Sequence, residues 1–468
     1  MRVAFGRPVF LRLIYIEYHT MKRFNLILSV MLLSLAALSA SAAEKAEPKN
    51  NFKLYGFVRN YFIYDSRESV SGTGDLFYYL PKDVNMKDGM DLNDNASFSY
   101  LSLTSRLGVD VSGYYVGNAH FTAKIEGDFY SGLSNSSNAN AGTYFPGNTK
   151  ISGTAQARLR QAFVTVTWKE LGKTAKNSVA LKMGQAWHPM AADMPHIFSL
   201  EAGAPFGPFS RTPQVTMDAN LGSNFVLSAS ALWQMQYNSA GPVGASPIYM
   251  KYGMTPEIYA GVTYKTGGFL ARAGADLISI KPRVLGQSNG NTVKVSDRKT
   301  SLLGYVYAQY TYKDFAVKAK TTFGQGGEHM NLMSGYAKVA ENADGSWDYA
   351  SLRNSSSWLS LSYGKKWQGV LFLGYVKNLG LADAVDTLVK GDVYFCGNGF
   401  SNLNQMYRIN PQLIYNIGKM NVGLEYQWTA VQYGEYYGGG AMSAYGLADK
   451  NLHWVGNNRV NVMVKYNF

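Results

Sequence analysis

The 468-residue chain has one cysteine and six histidines, and acid is scarce, with 31 Asp and Glu against 44 Lys and Arg. A lone cysteine, Cys396, cannot form an internal disulfide, so this is not a disulfide scaffold. No local motif surrounds it, and it reads as a loop thiol rather than a nucleophile. His19, His120, His188, His196, His329 and His453 fall into no recognisable Ser, His and Asp arrangement, which argues against a hydrolase. Beyond the first 42 residues no apolar run approaches the length of a spanning helix. A mature chain that crosses a bilayer must then do so as a closed barrel, because lipid offers no partner to an open strand edge.

The N-terminus carries an export pattern. Met21-Lys22-Arg23 opens an apolar run from Phe24 to Leu38, followed by Ser39-Ala40-Ser41-Ala42-Ala43. That is a basic region, a hydrophobic core and a small-residue cleavage site, a secretory signal ending at residue 42. The run falls short of the roughly 20 residues that a spanning helix needs. The residues before Met21 fit no such pattern, so Met21 is the expected start. Cleavage removes five basic residues and one acid, and the formal charge falls from +13 to about +9. Such a balance suits nucleic acid, acidic lipid or small anions. Export excludes nucleic acid as a natural partner and leaves outer-membrane lipid and small anionic solutes.

What fills the rest is alternation. In Arg459–Phe468 (RVNVMVKYNF) the valines and aromatics take one face and the polar residues the other. Sixteen segments of this type are expected, at 52–64, 97–112, 118–130, 155–168, 177–187, 212–221, 223–235, 255–265, 268–280, 299–312, 314–325, 355–367, 369–379, 405–416, 419–431 and 455–468. Short and long connections alternate between them, with short joins at Gly222, Gly267, Lys313, Gln368 and Ile417-Gly418. Short periplasmic turns and long external loops produce that rhythm in an antiparallel, up-and-down β-barrel of a Gram-negative cell outer membrane. The expected organisation is a signal over 1–42, a short segment over 43–51 and a barrel over 52–468, wide enough for an aqueous channel. Tyr61, Tyr64, Trp168, Tyr310, Tyr312, Trp358 and Trp367 are candidates for interfacial girdles. Strand 155–168 is untidy: Leu159 and Phe163 bracket Gln161 on the expected lipid face, and Val164 and Val166 fall toward the lumen.

The inward positions are biased toward cations. Arg59, Arg106, Lys124, Arg158, Arg160, Lys182, Arg272, Lys318, Lys320, Lys366, Arg408, Arg459 and Lys465 oppose Asp110, Glu126, Asp128, Asp218, Asp276 and Glu425. Rings of Arg and Lys favour anions in a pore. Charged residues also belong inside any water-filled barrel. Arg158-Leu-Arg160 is the sharpest feature, because two guanidiniums one repeat apart share a face and can grip a carboxylate. The bland alternative is that they neutralise Glu126 and Asp128. Tyr305 and Tyr307 are candidates for a lumenal stacking track.

The connection 188–211 is richer in Phe, Pro and Met than its counterparts, and an apolar loop should pack against something. Folding into the barrel as a constriction would bring Glu201 or Asp193 toward the wall opposite Arg158 and Arg160. His188, Asp193 and His196 are too few and too loosely spaced for a closed metal site, and no metal or cofactor is assigned. Asp83, Asp88, Asp91 and Asp94 around Gly89 lack the EF-hand spacing and read as a solvated acidic loop.

The runs Arg158-Leu-Arg160-Gln-Ala-Phe-Val, Met183-Gly-Gln-Ala-Trp187 and Phe209-Ser-Arg211-Thr-Pro-Gln-Val resemble the DcaP-like family of Gram-negative outer-membrane porins. The motifs cover residues 155–217; the strand rhythm extends the resemblance. It implies a trimer of sixteen-stranded barrels that passes negatively charged small solutes such as dicarboxylates, without enzymatic activity. Arg158, Arg160 and Arg211 would be its eyelet residues. Some members carry a coiled coil before the barrel; here only Ala43 to Asn51 precede the first strand. An adhesin, a structural barrel or a barrel-embedded hydrolase with a plugged lumen are the competing readings.

Overall fold

The computed structural model describes residues 50–72, 77–130, 133–134, 150–151, 156–171, 176–199, 203–395 and 401–468. The expected signal and most of the 43–51 segment lie outside these residues, as do Glu201 and Cys396.

Sixteen antiparallel strands close into one barrel. They are β1 (Asn51–Asp65), β2 (Ser97–Leu101 with Arg106–Val116), β3 (Ala119–Tyr130), β4 (Gln156–Lys169), β5 (Ser178–Trp187), β6 (Arg211–Leu221), β7 (Phe225–Leu232) and β8 (Glu257–Thr266). They continue as β9 (Phe269–Ile280), β10 (Lys299–Tyr312), β11 (Phe315–Gln325), β12 (Arg353–Tyr363), β13 (Trp367–Gly380), β14 (Leu403–Ile417), β15 (Met420–Glu435) and β16 (Lys450–Asn467). Each strand pairs with its neighbour in sequence, and β1 closes on β16 with Arg59 opposite Lys465 and Asp65 opposite Arg459. Closure gives each barrel strand a partner on both sides, which is what a bilayer requires.

Alternation sets the faces. Leu107, Phe225, Leu227, Val306, Leu424 and Tyr466 are exposed on the outside, and Arg59, Gln214, Tyr307, Asn461 and Met463 are buried within. The turns are tight because Gly267, Lys313 and Gly418 take positive φ, at 51°, 52° and 57°, the twist that a two-residue hairpin needs.

Four local expectations are corrected. The turn after β12 lies at 364–366 rather than at Gln368, so Lys366 sits in a turn and not on the lumenal wall. Gly364 forces it there: its φ is 102°, and a Cβ would meet the Trp367 carbonyl oxygen at 2.1 Å. Strand β2 is broken at 102–105, where Thr104 takes a φ of 70° and bonds Arg59. In β4 the register with β3 shifts between Leu159 and Gln161. This bulge inserts one residue and reverses the alternation beyond it. Val164, 42% exposed, therefore faces out and Phe163 turns in under Lys182, while Val166 is buried at 3% exposure. Tyr61 and Trp358 are buried inside, whereas Tyr64, Tyr310, Tyr312 and Trp367 are exposed as girdle residues would be.

Inside, the lumen is furnished by loops. The largest buried apolar cluster joins Phe77, Tyr79 and Leu80 of a hairpin (Ser69–Gly72 with Phe77–Pro81), Met190, Phe206 and Phe209 of the 188–210 connection, and Met330, Leu332 and Met333 after β11. They pack on Tyr305, Tyr307, Trp358, Phe372 and Met406 of the wall. The predicted tyrosine track is thus a bed for loop residues: Tyr305 and Tyr307 are covered, and Tyr305 bonds Tyr259 hydroxyl to hydroxyl at 2.9 Å.

Candidate functional site

Residues 188–199 and 203–210 of the connection lie within the barrel, and inward polar side chains from five strands hold it. Lys320 Nζ on β11 donates to the carbonyls of Met190 and Asp193, at 2.8 and 2.7 Å. Ser360 on β12 accepts the His196 amide at 3.0 Å, and Ser362 bonds its Nδ1 at 2.9 Å. Gln412 on β14 accepts the Phe198 amide, Glu425 on β15 accepts from Ser199 Oγ at 2.7 Å, and Tyr61 on β1 donates to the Phe198 carbonyl at 2.8 Å. Glycines provide the remaining room. A Cβ on Gly374 would meet the Phe206 ring at 2.5 Å, and one on Gly423 would meet Phe198 at 2.8 Å. Backbone donors left over by the irregular loop thus find side-chain partners, as a buried segment requires.

Asp193 does not face the arginine pair. Its carboxylate closes an ion pair with Arg272 of β9, which also bonds Thr263 at 2.9 Å. The nearer cation takes the acid, and Arg158 and Arg160 already have acids of their own. Burial beside Lys318 pushes the His196 imidazole down to about 4, so it is neutral near pH 7.

Beneath the loop lies a cavity of about 480 Å³, lined among others by Arg59, Arg106, Arg158, Arg160 and Lys465. Arg158 grips Asp128 with both Nε and Nη2 at 2.9 Å; Arg160 bonds Glu126 at 2.9 Å and Asp128 at 2.7 Å. The β4 bulge shifts the register between Leu159 and Gln161 and lets both guanidiniums reach Asp128, with Arg160 bonding Glu126 as well. Arg106 stands 3.7 Å from Glu126, and Arg59 bonds Thr104. Five cations line the cavity beside the Asp128 carboxylate, and Glu126, bonded to Arg160, adds a second acid, so the ladder is partly neutralised and the cavity keeps a positive excess. Arg211 is buried, lies 4.7 Å over the Trp187 ring, and leaves Nη1 without a hydrogen-bond partner among the described residues. A second cavity of about 400 Å³ on the other flank of the loop is lined by Lys182, Asp218 and Arg272. Lys318 reaches the Met194 carbonyl at 3.4 Å.

Several lumenal charges are spent elsewhere. Lys124 pairs Asp110 at 2.6 Å, Arg459 pairs Asp65 at 3.4 Å, and Arg408 Nη2 donates to the Tyr79 carbonyl under the 69–81 hairpin. The acidic loop that follows is solvated at Asp88 and Asp94, and its other two acids are paired. Asp91 pairs Arg67 at 2.7 Å within the connection, and Asp83 meets His453 of β16 at 2.7 Å, anchoring the loop to the wall. The hairpin's apolar run Phe77-Tyr-Tyr-Leu-Pro81 was the available sequence signal for an inward turn.

No family model and no curated protein matches the chain by sequence. Among solved structures it is similar to the outer membrane channel DcaP of Acinetobacter baumannii, with a TM-score of 0.59 at 18% identity, covering 91% of this chain and 100% of that one. It is also similar to an anion-selective porin from Comamonas acidovorans, at 0.48 and 12%, covering 90% and 100%. OmpT, an outer membrane protein of Vibrio cholerae, gives 0.49 and 12%, covering 91% and 100%. The chain therefore has the sixteen-stranded barrel fold of the DcaP outer-membrane channel.

Proposed function

We propose that the protein is a porin of the Gram-negative outer membrane, which passes small hydrophilic solutes by passive diffusion with a preference for anions, and is not an enzyme. The observation that carries the preference is the cavity under the inward loop, where five cations meet two carboxylates. Low-dielectric walls focus that excess on a passing ion. Arg158, Arg160, Arg59, Arg106 and Arg211 act together in this reading, with Lys182, Lys318 and Lys320 on the loop's other flank and the 188–211 connection as the constriction. The apolar outer face supports contact with lipid. A homotrimer is the assembly implied by the family resemblance, and crosslinking of the detergent-solubilised protein checks it.

The test is the reversal potential in a planar bilayer under a KCl gradient. A chloride-directed potential supports the reading, and a cation-directed one overturns the preference while leaving a channel. A folded barrel without conductance overturns the channel itself.

A further inference from the structure

Four buried side chains converge where the inward loop leaves the wall. His188 opens the loop, Glu257 begins β8, Asp276 lies on β9, and His329 sits in the helical turn Glu328–Met330 after β11. None exceeds 1% exposure, and one donor atom from each lies within 4.8 Å of every other. Glu257 Oε1 is 2.7 Å from His188 Nε2 and 3.0 Å from His329 Nε2. Two ligands of a tetrahedral ion with bonds of ~2 Å stand roughly 3.3 Å apart, so the spacing is that of a coordination shell.

Charge points the same way. Glu257, Asp276 and Glu328 are three buried carboxylates, and Lys299, 3.0 Å from Glu328, is the cation that faces them. With neutral imidazoles the cluster holds two negative charges in excess, and burying them without compensation is costly. Glu257 Oε2, Asp276 Oδ1 and His329 Nδ1 find no hydrogen-bond partner among the described residues. His188 plays a different part from His329. Its Nδ1 accepts the Met190 amide at 3.1 Å, so Nε2 bears the proton and donates to Glu257. It orients the carboxylate, as the groups behind metal ligands do.

We propose that Glu257, Asp276 and His329 bind one divalent transition-metal ion, with His188 positioning Glu257. One imidazole with two carboxylates suits a borderline ion such as Zn²⁺ better than Ca²⁺. The ion would fasten both ends of the inward loop, since Phe209 at its far end donates its amide to the Met330 carbonyl, one residue from His329, at 2.8 Å. This site stands apart from the anion cavity and does not depend on the porin reading.

Zinc binding to the purified, folded protein by competition with a chromophoric chelator tests it. One equivalent per chain is expected, weakened about 100-fold or more in His329→Gln and Asp276→Asn. No zinc uptake by the unaltered protein, or equal affinity in folded variants, overturns the proposal. If the variants fail to fold, the absorption spectrum of Co²⁺ added to the unaltered protein decides. Strong tetrahedral bands, bleached by one equivalent of zinc, support the site; weak octahedral bands or none overturn it.

Discussion

Arg158 and Asp128 face one another in register on β4 and β3 and close a two-bond fork, Nε to Oδ1 and Nη2 to Oδ2, each 2.9 Å long. Asp128 also serves Arg160 at 2.7 Å, and its side chain is wholly shielded from solvent. It is therefore the acid that sets how much positive field the ladder shows. Asp128→Asn should shift the reversal potential further toward chloride. It should also destabilise the barrel by about 3–5 kcal/mol, because it leaves buried guanidiniums uncompensated. Reversal potentials and urea unfolding in micelles read the two effects separately.

Lys320 holds the inward loop by two carbonyls, and its ammonium lies 5.5, 5.7 and 6.0 Å from the ring centres of Tyr305, Tyr307 and Trp358. Lys320→Met keeps the packing and removes both bonds. Single-channel records should show frequent conductance substates with the barrel still folded, and quiet steps identical to the unaltered protein would count against a pinned loop.

Gly374 makes room on β13 for Phe206 of the loop. Gly374→Val suits the strand but occupies that seat, so Phe206 must move. Conductance should change while the unfolding midpoint shifts by less than for Asp128→Asn. The paired measurement separates a displaced loop from a damaged barrel.

The His196 imidazole, neutral against Ser362 and close to Lys318, titrates near 4 in place of the usual 6.5. Between those values the unfolded chain binds a proton at this residue that the folded one does not. Stability of the folded loop is therefore full above pH 6.5 and falls as pH drops toward about 4. Conductance recorded from pH 7 to 3.5 should become unstable at the acid end. His196→Gln, which keeps a hydrogen-bonding end and loses the titration, should flatten the profile.

Val306 lies midway along β10 and is 54% exposed on the outer face. Val306→Arg should cost about 2–4 kcal/mol of barrel stability in lipid, measured by refolding into vesicles. An effect near zero would place this face against water or protein instead.

Much of the architecture was legible because it follows from a period of two and a rhythm of turns, both local properties. All sixteen strands lie where the alternation put them, and Gly267, Lys313 and Gly418 turn the chain as expected. The errors are local as well. The Lys366 misplacement comes from Gly364, and the Val164 inversion comes from one inserted residue at the β4 bulge. A pattern of period two cannot detect a slip of one until partners are compared across the strand pair.

The sequence by itself determined that this chain closes as a barrel, that a period of two sorts its regular strands into two faces, and that the 188–211 connection is too apolar for solvent. Tertiary structure decided the rest, because it depends on contacts between distant residues. Asp193 chooses Arg272, 79 positions away, and Ser199 chooses Glu425, 226 away. The same holds for His188 and His329, brought to one carboxylate by two loops whose meeting no spacing along the chain encodes.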